Sequence, residues 1–75
     1  MAIASVIVAT EAGAADAVAA DLNSLPNTTV YGSTDDEIVT VIEAETVAAL
    51  SDGLLRLSSV ERVVGVYPVY ASDYE

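Results

Sequence analysis

The chain contains no cysteine, histidine, lysine, tryptophan or phenylalanine, and its only basic side chains are Arg56 and Arg62. Each absence removes a chemistry. Without cysteine there are no disulfides, no thiolate nucleophile and no zinc–thiolate centre. Without histidine the commonest general base and metal ligand is gone. Most enzyme classes are thereby disfavoured, and no metal or other cofactor is expected. Twelve acids against two arginines give a formal charge of −10, which repels nucleic acid and anionic membrane surfaces, because affinity for both comes mainly from Lys and Arg contacts to phosphate. No apolar run approaches the roughly 18 residues that a membrane span needs. The first residues show neither the basic segment nor the cleavage site of a secretory leader, so a cytoplasmic location is expected.

What is present is a compact apolar composition. Seventy-five residues form one domain at most, since a chain of this size buries only about 60% of its unfolded surface. A hydrophobic fraction of 53% with mean hydropathy +0.52 excludes disorder, whose signature is low hydrophobicity with high net charge. The surplus of acids, spread along the whole chain, has two physical uses that are compatible: solubility in a salt-rich cytoplasm and steering of a basic partner.

Along the chain, Ile3 to Thr10 is a β-branched run and reads as the first strand. Glu11 to Ser24 reads as a helix, with Ala15, Val18, Leu22 and Leu25 on one stripe and Ala19 beside them. Pro26 and Asn27 stop it. Thr28 to Gly32 is a short, Thr-rich strand suited to an edge, and Ser33 to Asp36 is a turn joining it to a central strand from Glu37 to Glu43. A second helix is expected from about Glu45 to Ser58, with Val47, Leu50, Leu54 and Leu57 facing the sheet and Gly53 costing it roughly 1 kcal/mol relative to Ala. The last strand runs from about Arg62 to Ala71. Pro68, which cannot donate a ladder hydrogen bond, assigns it to an edge. Ser72 to Glu75 is expected to be a frayed acidic tail.

Two strand–helix–strand units joined by a hairpin imply an α+β, ferredoxin-like βαββαβ domain over residues 1–75. Its four-stranded antiparallel sheet has strand order 4-1-3-2, with both helices on one face because the crossovers are right-handed. Alternation then places Ala4, Val6, Val8, Ile38, Ile42, Val64, Val66 and Tyr70 in the core. The other face lacks a cover and presents Ser5, Ile7, Ala9, Val39, Val41, Glu43, Gly65, Tyr67, Val69 and Ala71, with the register of residues 37–43 open to a one-residue slip. An uncovered apolar patch marks a binding surface, so binding rather than catalysis is the leading functional idea.

Other features read as structure. Asp35, Asp36 and Glu37 lack the spacing of a calcium loop and make a solvated turn. Ser51-Asp52-Gly53 lies within a helix, without a base, and is no nucleophile elbow. Glu43 and Glu45 flank the start of the second helix and suit its dipole. Glu43, directed to the open face, also suits a bidentate pair with a guanidinium group. Tyr67 is placed on the open face, where its ring can pack on a ligand, and Tyr70 in the core.

The run Ile3-Ala-Ser-Val-Ile-Val-Ala-Thr10, the helix end Leu22-Asn23-Ser24-Leu25-Pro26, the strand Glu37-Ile-Val-Thr-Val-Ile-Glu43, and the closing Val60-Glu61-Arg62-Val63, Val66 and Val69-Tyr70 followed by acids together resemble the NapD family. That family comprises small cytoplasmic chaperones of the periplasmic nitrate reductase. Two departures stand out: Val69-Tyr70-Ala71 where the family commonly has Val-Tyr-His, and Pro26-Asn27 where it often has Pro-Gly. The first removes any histidine role in ligand contact. The resemblance implies a non-enzymatic protein that binds the twin-arginine signal peptide of the reductase's catalytic subunit and delays export until maturation is complete. Ser5, Ile7, Ala9, Val39, Val41, Glu43, Tyr67 and Val69 are then the contact residues, and weak homodimerisation is the other association allowed. The main rival is a small ligand-binding domain similar to the Lrp/AsnC regulators, which dimerise through the same sheet face. Ser33-Thr34-Asp35-Asp36 stands here in place of the Gly-x-Tyr-Asp-like turn typical of that group. An acylphosphatase-like enzyme comes third, because the cationic cradle its chemistry needs is missing.

Overall fold

The computed structural model describes residues 1–73. Six elements follow in order: β1 Ala2–Thr10, α1 Ala15–Asn23, β2 Thr28–Ser33, β3 Glu37–Ala44, α2 Val47–Ser58 and β4 Val63–Asp73. The strands form one sheet in the order β2-β3-β1-β4, with every neighbouring pair antiparallel. This is the expected ferredoxin-like topology.

β1 explains why it forms. Its burial alternates strictly: Ala2, Ala4, Val6, Val8 and Thr10 are buried, and the residues between them are half-buried. The buried set packs with Ala15, Val18 and Leu22 of α1 and with Leu50 and Leu57 of α2 in one core cluster, so both helices cover the same side. Each large apolar side chain buried there contributes about 1.5–3 kcal/mol. In β3, Ile38, Thr40 and Ile42 join this side and pair with Val8, Val6 and Ala4. The register with Val39 and Val41 facing outward is therefore the one adopted.

Both helices begin later than expected. Glu11 to Gly13 form a turn in which Ala14 N–H donates to the Glu11 carbonyl at 3.0 Å. Gly13 has φ 76°, a left-handed conformation that ends any helix running through it. α2 starts at Val47 because Thr46, extended at φ −133°, caps it: its hydroxyl oxygen accepts from Ala49 N–H at 3.1 Å. Neither Glu43 nor Glu45 caps this helix. Glu43 belongs to β3, and the first turn of α2 carries no acid. Val47 is not on the buried stripe. At 100° per residue it lies about 70° from the Leu50–Leu57 line, and it remains exposed. Gly53 faces the sheet instead, where a methyl group at its Cα would stand 3.4 Å from Ile42 Cδ1. Between α1 and β2, Asn27 takes φ 57°. Asn tolerates this conformation better than other non-glycine residues, so Pro26-Asn27 makes the turn that Pro-Gly would make.

β4 departs most from expectation. Its pairing with β1 shifts twice, between Ala9 and Thr10 and between Ser5 and Val6, which leaves Val64 and Val69 as extra, unpaired residues. Each such bulge reverses the parity of the strand. Val66 still packs against the core. Val64 is 64% exposed and Tyr70 62% exposed, so neither is a core residue, and Tyr70 pairs with Ser5 on the open side. Ala71 pairs with Ala4 and so belongs to the helix side. Ser72 and Asp73, expected in a frayed tail, instead pair with Ile3 and Ala2 within β4, and Tyr74 and Glu75 lie outside the described residues.

One core group lacks a partner. Thr40 is 0% exposed, and its hydroxyl has no hydrogen-bond partner among the described residues. A buried unsatisfied hydroxyl costs about 1–3 kcal/mol, whereas an apolar group of the same shape avoids that cost. Thr40→Val is accordingly expected to raise stability by about 1 kcal/mol in urea unfolding, with m unchanged. Gly53→Ala, which gains helix propensity and meets Ile42 only at contact distance, should add about 0.5–1 kcal/mol in the same measurement.

Candidate functional site

The face of the sheet away from the helices is built in four rows, because residues directly opposite in an antiparallel pair share a face. Ile3 lies between Glu43 and Ser72, Ser5 between Val41 and Tyr70, Ile7 between Val39 and Tyr67, and Ala9 between Glu37 and Gly65. Thr29 and Gly32 of β2 extend the second and third rows beyond Val41 and Val39. Successive rows are about 7 Å apart and strands about 4.8 Å apart, so the surface is roughly 20 Å long. Among the described residues no secondary-structure element is packed on it. Val39 is 44% and Tyr67 58% exposed.

Chemically the face has an apolar centre and acidic ends. Ile3, Ile7, Val39, Val41, Tyr67 and Tyr70 supply the apolar and aromatic area. Glu43 and Glu37, six residues apart on one strand without a bulge, place an exposed carboxylate at each end of β3. Arg56 lies on α2 and Arg62 in the turn before β4, so neither basic side chain belongs to the four rows. Asp35 and Asp36, in the loop at the Glu37 end, are exposed. Their carbonyls accept from Ala15 N–H at 3.4 Å and Thr10 N–H at 2.8 Å, which ties this loop to the ends of β1 and α1. Among the described residues, no group of three or more acids is arranged to hold a metal ion.

Of the residues expected to line the surface, Ser5, Ile7, Ala9, Val39, Val41, Glu43 and Tyr67 do share it. Val69 is the extra residue of a bulge at its margin and is exposed. Ile3, Glu37 and Tyr70 belong to the face but were not expected as contacts. Ile3 and Glu37 follow from the same alternation carried one step further along each strand. Tyr70 does not, because its side depends on the bulge at Val69.

A second cleft, on the helix side, is about 360 Å³ and is lined by Leu25, Asn27, Ile42, Glu45, Leu50 and Arg56 among others. It mixes both charge signs with apolar residues. Among the described residues, no helix is long and apolar enough to cross a membrane.

The division of faces is open to a direct test. Ile38→Asp, which buries a charge, should abolish the cooperative thermal transition. Val39→Asp, one residue away on the open face, should cost about 1 kcal/mol and leave the transition cooperative.

Comparison with known proteins agrees with this geometry. The family model for the NapD protein matches residues 1–73. The solution structure of the Escherichia coli Tat proofreading chaperone NapD superposes with a TM-score of 0.84 at 25% identity, covering 97% of this chain and 79% of that one. A Pyrococcus furiosus transcriptional regulator of the AsnC family superposes with a TM-score of 0.72 at 13% identity, covering 99% of this chain and 53% of that one. The second likeness is one of fold. No curated protein sequence gives a significant match.

Proposed function

The chain belongs to the NapD family, and on that premise we propose that it is a signal-peptide-binding chaperone whose open sheet face holds a twin-arginine leader. Its partner on this reading is the catalytic subunit of a periplasmic nitrate reductase. Its place is the cytoplasm, where the leader is kept from the export machinery until the subunit is mature. The observation that carries the reading is the pairing of a bare apolar surface with carboxylates at both ends of β3 and no basic side chain in its rows. A twin-arginine leader has the complementary composition, two guanidinium groups followed by an apolar stretch. Charge of opposite sign speeds encounter, and removal of apolar surface from water holds the complex together.

The leader is proposed to lie across the face rather than extend the sheet. β4 carries two register shifts and Pro68, and β2 carries a register shift between Val30 and Gly32. An irregular edge is a poor template for a further strand. A helix of about 10–12 Å diameter, by contrast, fits a surface of this length and width. Ser5, Ile7, Ala9, Val39, Val41, Glu43, Tyr67 and Val69 are the proposed contacts, to which the geometry adds Ile3, Glu37 and Tyr70.

A synthetic leader containing the arginine pair should bind the purified protein in titration calorimetry. Its affinity should fall as salt rises from about 0.05 M to about 0.5 M, because exposed charges are screened over a Debye length. Tyr67→Ala and Val41→Asp should each weaken binding by about 10-fold or more, the size of effect seen for central aromatic or apolar contacts. Absence of any heat at low salt, with folded protein, would refute the proposal.

A further inference from the structure

The open face contains one contact that its alternation does not require. A methyl group built on Gly65 would stand 2.5 Å from the Tyr67 hydroxyl oxygen and 2.7 Å from its Cε2 and Cζ. The phenol ring is therefore folded back along β4 and lies over the Gly65 backbone, in the space that any other residue's Cβ would fill. Gly65 is half-buried although it sits on an edge strand, whereas Tyr67 keeps 58% of its surface exposed. The ring thus covers the glycine on one side and leaves its other side open.

The position of this pair within the rows gives it a consequence. Tyr67 shares a row with Ile7 and Val39, the apolar middle of the face, and Gly65 shares the next with Ala9 and Glu37. A ring lying down over Gly65 extends the floor of Ile7 and Ala9 outward to the β4 edge. A ring forced upright would instead raise a wall beside that floor and narrow it. Glycine is an unfavourable strand residue, since it brings no side chain to pack and loses more conformational freedom on folding than Ala. An aromatic ring laid across a strand glycine offsets part of that loss.

We infer that Gly65 is a positioning residue for leader binding: by lacking a Cβ it lets the Tyr67 ring lie flat as an aromatic floor on which the bound leader packs. The inference rests on the reading that the open face holds the leader. Gly65 acts through Tyr67 and does not itself touch the peptide. The chemistry recognised at the ring is that of a π face, which accepts an apolar side chain or a guanidinium group.

The test is a double-mutant cycle on the full chain, with a synthetic twin-arginine leader as titrant. Gly65→Ala is expected to weaken the leader by about 10-fold, comparably to Tyr67→Leu, and the double variant to bind no more weakly than Tyr67→Leu alone. Thermal melting separates this from a structural role, because Gly65→Ala should melt no lower than the parent. A second readout needs no peptide: with the ring over Gly65, its Cα protons should show an upfield ring-current shift that disappears in Tyr67→Leu. Native affinity in Gly65→Ala, additive losses in the double variant, or unshifted Gly65 protons would each overturn the inference. A parent protein that shows shifted protons yet binds no leader would refute the chaperone reading instead, and with it the role assigned to Gly65.

Discussion

Pairing of β1 with both β3 and β4 is the constraint on which the rest of the molecule depends. This strand is central, and its burial alternates without interruption from Ala2 to Thr10. One set of side chains is removed from water by the helices, and the other set is left to form the spine of the open face. Because opposite residues share a face, β1 sets the orientation of everything paired with it: Ile38, Thr40 and Ile42 go inward, and Glu37, Val39, Val41 and Glu43 go outward. The small residues on its buried side, Ala2 and Ala4, sit with the larger Leu22, Leu50 and Leu57 of the helices in one cluster. Close packing requires such size matching.

The edges of the sheet serve a different purpose. β4 is the longest strand, yet its two bulges and Pro68 break the regular row of backbone groups that would otherwise invite another strand. The same bulges alter what the open face displays. By reversing parity at Val69, the chain brings Tyr70 onto the face beside Ser5, so that Tyr67 and Tyr70 both stand there. A regular strand would have faced Tyr70 toward the helices. The aromatic content of the surface is thus a product of strand irregularity.

The distribution of charge matches this division of labour. Arg56 and Arg62 are kept out of the four rows, while β3 carries a carboxylate at each end of the face. In a protein with net charge −10, two copies meeting through this surface would bring like charges together, and the proposed cationic, apolar leader would bring opposite ones. The AsnC-type regulator shares the topology at 13% identity. Fold alone does not carry function, because the same βαββαβ frame supports unrelated sites.

Much of this was legible in the chain. The β-branched run of residues 3–10, the helix stripe through Val18 and Leu22, and the Pro68 edge signal depend on local spacing and backbone chemistry, and they determined the topology, the open face and most of its occupants. Ile3 and Glu37 were available from the same alternation. Tertiary pairing alone decided the rest. A β-bulge arises where a twisted edge strand must stay in register with its neighbour, and no local residue pattern at Val64 or Val69 announces it, so the orientation of Tyr70 and Ala71 was not readable. The left-handed conformations of Gly13 and Asn27 mark where α1 begins and where β2 is entered; the stop at Pro26-Asn27 was readable, whereas the late start of α1 after Gly13 was not. Likewise, that Gly65 is covered by the Tyr67 ring depends on which rotamer the surrounding sheet leaves room for. Composition and periodicity determined which residues are apolar and how often they recur. Only the assembled sheet decided which side they face, because that depends on pairing between segments far apart in the chain.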